Sequence, residues 1–224
     1  MSSNTAPALY VGAMTFVTAA SETGPQTVRR ATRDDAAALA ECAAVTFPLA
    51  CPPDSRPADI EHFLASHLSA ERFAQYLEDP DRTVLCIRET GLPEGSPDGY
   101  VRLGGYSMLV RTQPADPDVL AALTISPVME LSKFYVHPDH HGRGAAGALM
   151  RETLAYASRS GLPGIWLGVN QENSRALRFY TRFGFGRFGT KRFRLGDRFE
   201  DDFILERRLS TTHSNGADEV HPVP

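Results

Sequence analysis

The spacing of apolar positions changes several times along the chain, and each change predicts an element. Val28 to Thr32 reads as a short strand. Thr32-Arg-Asp-Asp35 then reads as a helix start, with Thr32 as N-cap and Asp35 reaching back in a capping-box pattern. That helix runs to about Thr46. Four prolines between Phe47 and Pro57 forbid regular structure there. Ile60, Phe63, Leu64 and His67 fall at i, i+3, i+4 and i+7, one apolar helix face. Ser69 caps a further helix that turns Phe73, Tyr76 and Leu77 inward and stops at Pro80. Thr83 to Arg88 is a strand, and Gly91 to Gly99, with three glycines and two prolines, has hairpin-loop chemistry. Tyr100 to Leu109 is the returning strand. Arg111 to Ser126 is a longer connection, partly helical through Val119 to Leu123.

The second half is more regular. Val128 to Val136 is a strand, Pro138 to Gly144 a polar loop, and Ala145 to Ser160 a helix ended by Gly161 and Pro163. Ile165 to Val169 is a strand, and Asn173 to Phe183 a helix ended by Gly184. Phe185 to Arg192 and Phe199 to Leu209 are closing strands. Antiparallel strands thus lead into one β-α-β unit, which requires parallel strands and a right-handed crossover. The expected fold class is α/β in the mixed, α+β sense.

Composition narrows the field. The chain has 224 residues with 42% hydrophobic and 22% charged, enough for one full core and not two. A single domain over 27–209 is expected. Residues 1–26 read as a disordered leader. Ala8 to Ala20 is mildly apolar, but no Lys or Arg precedes Arg29, so the signal-peptide pattern is incomplete, and Met14 is an alternative start. The polar stretch 210–224 reads as a disordered tail. A net charge of −4 argues against nucleic acid as a partner, since no basic excess exists to neutralise phosphates. No apolar run reaches the roughly 18–20 residues of a membrane span. Cys42, Cys51 and Cys86 are odd in number and form no C-x-x-C pair, which fits reduced, buried thiols in a cytoplasmic protein.

The segment His141-Gly-Arg-Gly-Ala-Ala-Gly147 lies between a strand and a helix. Its glycines let backbone approach a ligand, the helix end beyond presents free N–H groups, and Arg143 adds a cation. That is the chemistry of a pyrophosphate site; a plain glycine-rich turn is the alternative. No Gly-Lys-Ser/Thr occurs, so it is not a P-loop. Gly142, Gly144 and Gly147 spell G-x-G-x-x-G, but the segment comes late, after antiparallel strands, and the strand from Ile165 onward supplies no acid before Glu172, so a dinucleotide site is disfavoured.

Glu130-Leu-Ser-Lys-Phe-Tyr-Val-His-Pro-Asp-His-His-Gly-Arg-Gly144 and Trp166-Leu-Gly-Val-Asn-Gln-Glu-Asn-Ser-Arg-Ala-Leu-Arg-Phe-Tyr-Thr-Arg-Phe-Gly-Phe185 together resemble the GNAT superfamily of N-acetyltransferases. The resemblance spans about Val28 to Leu209. The ending Phe193-Arg-Leu-Gly-Asp through Asp201-Asp-Phe-Ile-Leu-Glu-Arg-Arg-Leu209 further resembles the PaiA-like subgroup, associated with polyamine acetylation. The resemblance implies a mostly antiparallel central sheet of about seven strands, acetyl-CoA as cosubstrate and no metal. It implies that His141, Gly142, Arg143, Gly144, Ala145, Ala146 and Gly147 hold the pyrophosphate. His141 stands where the family usually has Gln or Arg. The edge of Phe134, Tyr135 and Val136 would pair with the pantetheine arm, Asn173 would contact that arm, and Tyr180 would be the general acid.

Acetyl transfer to an amine needs a deprotonated nitrogen, close approach to the carbonyl carbon, an oxyanion donor such as a backbone N–H near Val136, and a proton for the leaving thiolate. Tyr180 would supply that proton, although Ala176, Phe179, Tyr180 and Phe183 also make a simple core face. Glu130 is the expected base; the alternative is an edge-strand carboxylate paired with Lys133 or an arginine. His137, His140 and His141 read as solvated loop residues, and Glu200-Asp-Asp202 as a solvated turn or an attractor of cationic amines. The expected acceptor is a small-molecule or peptide amine, polyamines included, and a homodimer is compatible with the sequence. No cysteine matches a catalytic position, so direct attack in a ternary complex is expected. Rival readings are a catalytically silent CoA-binding sensor and a nucleotide-binding protein.

Overall fold

The computed structural model describes residues 27–89 and 101–210. The expected leader over 1–26, the loop over 91–99 and the tail beyond residue 210 lie outside the described residues.

The elements in chain order are β1 (Thr27–Arg30), α1 (Ala36–Thr46), α2 (Pro57–His67), α3 (Ala70–Glu78), β2 (Arg82–Arg88), β3 (Leu103–Val110), α4 (Pro117–Ala122), β4 (Val128–Val136), α5 (Ala145–Arg159), β5 (Gly164–Asn170), α6 (Ser174–Arg182), β6 (Gly186–Leu195) and β7 (Arg198–Arg208). The strands form one sheet in the order β1-β2-β3-β4-β5-β7-β6. Only β4 and β5 run parallel, joined by the crossover helix α5. This is the expected α+β architecture.

The entry to α1 follows the predicted cap. The Thr32 N–H donates to the Asp35 carboxylate at 2.7 Å, and Arg29 on β1 donates to both Asp35 oxygens at 2.8 and 2.6 Å. The Arg29 guanidinium holds this buried carboxyl below the usual range. The proline-rich stretch corrects one expectation. Pro48 opens a short 3-10 turn, Pro48–Ala50, and Pro57 is the first residue of α2. A first-turn N–H has no intrahelical partner, so proline is tolerated there.

Two layers of helix cover the sheet. Leu39, Ala43 and Phe73 from α1 and α3 pack against Tyr106 and Met108 on one face. Met150, Leu154 and Ala157 of α5 pack against Leu109, Met129 and Ile165 on the other. Strand β3 is therefore buried along its whole length, and its Ser107 hydroxyl is satisfied by Thr153 at 2.8 Å. On the first face, Val119 of α4 packs with Trp166 and Ile204. Buried Glu206 accepts from the N–H groups of Thr124 and Ile125 and from the Thr124 hydroxyl, fixing the loop after α4. No described helix is long and apolar enough to cross a membrane.

Strand β4 carries a bulge. Leu131 pairs with Leu109 and Lys133 with Met108, so Ser132 has no partner. The extra residue reverses the alternation. Before it, Met129 and Leu131 face α5; after it, Phe134 does, while Tyr135 packs on Tyr106 and Phe47 on the opposite face. Strict alternation would place Glu130 and Val136 on one face. The bulge puts them on opposite faces, with Glu130 on the side of Lys133 and Tyr135.

Candidate active site

The sheet splits at its one parallel pair. β4 and β5 are paired at Val128–Gly164, Met129–Ile165 and Glu130–Trp166 and then part. From Leu131 to Val136 the β4 edge facing β5 has no strand partner among the described residues, and its residues line a cleft. Two cavities open along it, of about 290 and 510 Å³. They share Ala50, Phe134, Tyr135, Asn173, Ala176 and Tyr180 as a common waist.

The larger cavity ends at the glycine loop. Gly142 and Gly144 have φ of +75° and +80°, which glycine adopts without strain, and open space lies where a Cβ would be. Gly144 is the N-cap of α5, and the first helical bond runs from the Ala148 N–H to the Gly144 carbonyl. The N–H groups of Ala145, Ala146 and Gly147 are thus left without intrahelical partners at the positive end of a fifteen-residue helix. That concavity fits a pyrophosphate. The expected residues Phe134, Tyr135, Val136, His141, Gly142, Gly144, Ala145, Ala146, Gly147, Asn173 and Tyr180 all line this cavity; Arg143 is exposed and does not. Arg175 and Arg182 of α6, not singled out from the sequence, do. Their seven-residue spacing on one helix was the available signal.

The three loop histidines differ. His141 is exposed and donates from Nε2 to the Val136 carbonyl at 2.9 Å. His140 lies 2.7 Å from the Glu89 carboxylate, and His137 is nearly buried. The solvated-loop expectation therefore holds for His141 alone, because the turn at Pro138–His140 folds the other two back toward β3 and Glu89.

Tyr180 and Asn173 come from α6. The Asn173 Oδ1 accepts the Ala176 N–H at 3.0 Å, so this side chain caps α6 while lining the cleft. Tyr180 is buried among Phe134, Phe179 and Phe185, and burial raises its phenol well above the ordinary tyrosine value. The hydroxyl is a proton donor that stays protonated at any working pH.

The smaller cavity lies on the face of α1 and α2. Phe47 and Phe63 stack at 4.5 Å, and Phe193 meets Phe63 edge-on at 5.6 Å, forming an aromatic wall. Glu130, Lys133, Lys191, Glu200 and Asp202 bring charge to the same space. Glu130 makes no close ion pair among the described residues, but its charge favours the protonated form of Lys133 in the same lobe. Burial pushes the Lys133 ammonium down to about 8 and the Asp202 carboxyl up to about 6. Glu200 and Asp202 belong to strand β7, not to a solvated turn, and alternation turns both inward while Asp201 stays exposed. The hairpin signal at Gly196-Asp197 would have placed them on one face. Gly168 on β5 makes room: a Cβ there would lie 2.6 Å from Lys191 Cε and 3.2 Å from Asp202 Oδ2.

A sheet split at a parallel pair, with an anion-binding helix end beside the split, is the architecture of an N-acetyltransferase. The acetyltransferase (GNAT) family model matches residues 54–185, and the chain belongs to that family. An uncharacterised N-acetyltransferase of Mycobacterium tuberculosis is 45% identical over 175 residues, covering 78% of this chain and 98% of that protein. Another from Lactobacillus delbrueckii subsp. lactis is 25% identical over 160 residues, 70% of this chain and 82% of the relative. Among solved structures, the PaiA N-acetyltransferase from Thermoplasma acidophilum, in complex with coenzyme A, matches with a TM-score of 0.59 at 19% identity, over 82% of this chain and 98% of that one. The acetyltransferase yncA from Salmonella typhimurium, with acetyl-CoA, matches with a TM-score of 0.53 at 21% identity, over 90% and 98%. Both likenesses establish the fold; neither assigns this chain to a subgroup.

Proposed function

We propose that residues 27–209 form one transferase domain that moves the acetyl group of acetyl-CoA to a primary amine by direct attack in a ternary complex. The observation that carries this reading is the split between β4 and β5 beyond the Glu130–Trp166 rung, with the glycine loop at one end and the charged, aromatic lobe across the waist. Acetyl-CoA bound in the larger cavity supplies an activated acyl group. The amides of Gly144 to Gly147 hold its pyrophosphate, with Arg175 and Arg182 nearby. The free edge of Phe134, Tyr135 and Val136 pairs with the pantetheine arm, and the Asn173 amide nitrogen is available to that arm because Oδ1 is engaged in the cap. A backbone N–H near Val136 faces the developing oxyanion. Tyr180 donates its proton to the departing sulfur. Glu130, at the last paired rung, supplies negative charge for an incoming ammonium.

The cysteines support direct transfer. Cys42 and Cys86 are buried, and burial pushes the Cys51 thiol, which lines the acceptor lobe, up to about 11. A thiol held protonated is a poor acyl acceptor. Three unpaired thiols also suit a reducing cytoplasm. The acceptor is a small-molecule or peptide amine; the acidic lobe suits cationic amines, polyamines among them.

The test is free-thiol release from acetyl-CoA across spermidine, aminoglycosides, amino acids and N-terminal peptides. Release that depends on one class of amine supports the reading. Acetyl-CoA binding with no release on any amine would favour a sensor.

A further inference from the structure

Deprotonating the acceptor requires a base in the acceptor lobe, and the sequence expectation gives that task to Glu130. Resting on the transferase reading above, we infer that Asp202 on β7 takes the proton from the acceptor ammonium.

Placement comes first. Asp202 lies opposite Asn170, the last residue of β5, and so at the open end of the split; Glu130 lies at its closed end, on the last paired rung. The Asp202 side chain lines the acceptor lobe, and the glycine at position 168 on β5 leaves the gap into which its Oδ2 projects. It shares that lobe with Tyr135 of β4 and Tyr180 of α6. Tyr135 and Tyr180 also border the waist, so the acceptor lobe holds Asp202 in one cavity with the β4 edge and the general acid.

The surroundings suit a base. Asp202 is 8% exposed. Lys191 on β6 faces it and favours the charged form, whereas Glu200 and Asp201 on β7 oppose that form. Across the split Glu130, Lys133 and Tyr135 of β4, Tyr180 of α6 and Cys51 line the same lobe; the β5 neighbour, Asn170, is uncharged. Burial prevails, and the carboxyl titrates at about 6. It is ionised at neutral pH yet accepts a proton more readily than an ordinary carboxyl near 4.

The step balances as follows. One proton passes from R–NH3+ to the Asp202 carboxylate and leaves to solvent. The freed nitrogen lone pair forms the C–N bond while the C–S bond breaks. The departing sulfur takes the Tyr180 hydroxyl proton, and the second nitrogen proton returns to that phenolate, leaving an amide, a thiol and one released proton.

The experiment compares wild type, Asp202→Asn and Glu130→Gln in kcat/KM against pH with the best amine of the panel, alongside CoA affinity and melting temperature. Wild type should show an acid limb near pH 6. Asp202→Asn should lose that limb, fall roughly 10²–10⁴-fold at neutral pH, bind CoA as before, and recover as pH approaches the amine's own pKa. Glu130→Gln should keep the limb. Asp202→Glu serves if the amide variant does not fold, and should retain a shifted limb. An unchanged limb in Asp202→Asn, or a limb lost in Glu130→Gln, would overturn the assignment while leaving the transferase intact. Absence of amine-dependent turnover in wild type would remove the transferase reading and this assignment with it.

Discussion

His141 donates from Nε2 to the carbonyl oxygen of Val136, 2.9 Å away, so the glycine loop is tied back onto the end of the strand that leads into it. The loop and the free edge of β4 are therefore positioned as one unit. A single bond of this kind contributes about 1 kcal/mol, or roughly a fivefold change in an equilibrium. His141→Ala should weaken acetyl-CoA binding by about that factor, and His141→Gln, which can still donate, should restore most of it. Calorimetric titration of the two variants decides the matter. Equal affinities would mean that the backbone alone holds the loop.

Gly144 separates conformation from charge at the same loop. Its φ of +80° is strained for any residue with a Cβ, but the space around it is open. Gly144→Ala should cost about 1–2 kcal/mol of stability and leave measurable binding. Gly144→Glu adds bulk and negative charge beside unpaired N–H groups that favour an anion, and should abolish acetyl-CoA binding. Unchanged affinity in the glutamate variant would refute the loop assignment.

Tyr180→Phe keeps the ring that packs against Phe134 and Phe185 and removes only the hydroxyl. Turnover should fall by roughly 10²-fold or more, with acetyl-CoA affinity within about threefold of wild type. Because burial holds the phenol above its ordinary range, no alkaline limb in the rate should come from Tyr180. Loss of affinity in proportion to rate would indicate packing as its main contribution.

Much of this is legible in the sequence. Strand β4 begins and ends at the predicted residues, since its apolar run is bounded by Pro127 and by His137-Pro138. The caps at Thr32 and Ser69 are local chemistry, and both form. The bulge at Ser132 was not legible, because one unpaired residue in a continuous strand leaves no compositional mark. It decides which face Glu130 shares, and so which carboxylates meet in the acceptor lobe. Asp202 was hidden for a related reason. Three consecutive acids look like a solvated turn until pairing with β5 and β6 turns two of them inward.

Lys133 offers a test of the acceptor lobe that needs no substrate. It follows the bulge, and its ammonium lies 5.5 Å from the Tyr76 ring centre. Burial lowers it to about 8 from the model-peptide value of 10.5, with Arg82 and Arg72 adding to the shift and Glu130 opposing it. A cation whose folded value is lowered gives up its proton first in the native state. Between about pH 8 and 10.5 the unfolded chain then binds more protons, so this group makes stability rise with pH through that window. Below pH 8 its cost is constant and fully present. Lys133→Met removes the charge, keeps a chain able to pack on Tyr76, and should stabilise the protein by about 1–3 kcal/mol at pH 7. Denaturant unfolding of both proteins between pH 7 and 10.5 measures this. Their stabilities should converge as pH rises, because the native lysine sheds its buried charge and the penalty is gone once pH reaches the unfolded value. Two curves that stay parallel across the window would show that Lys133 is solvated and that the lobe around it is wet.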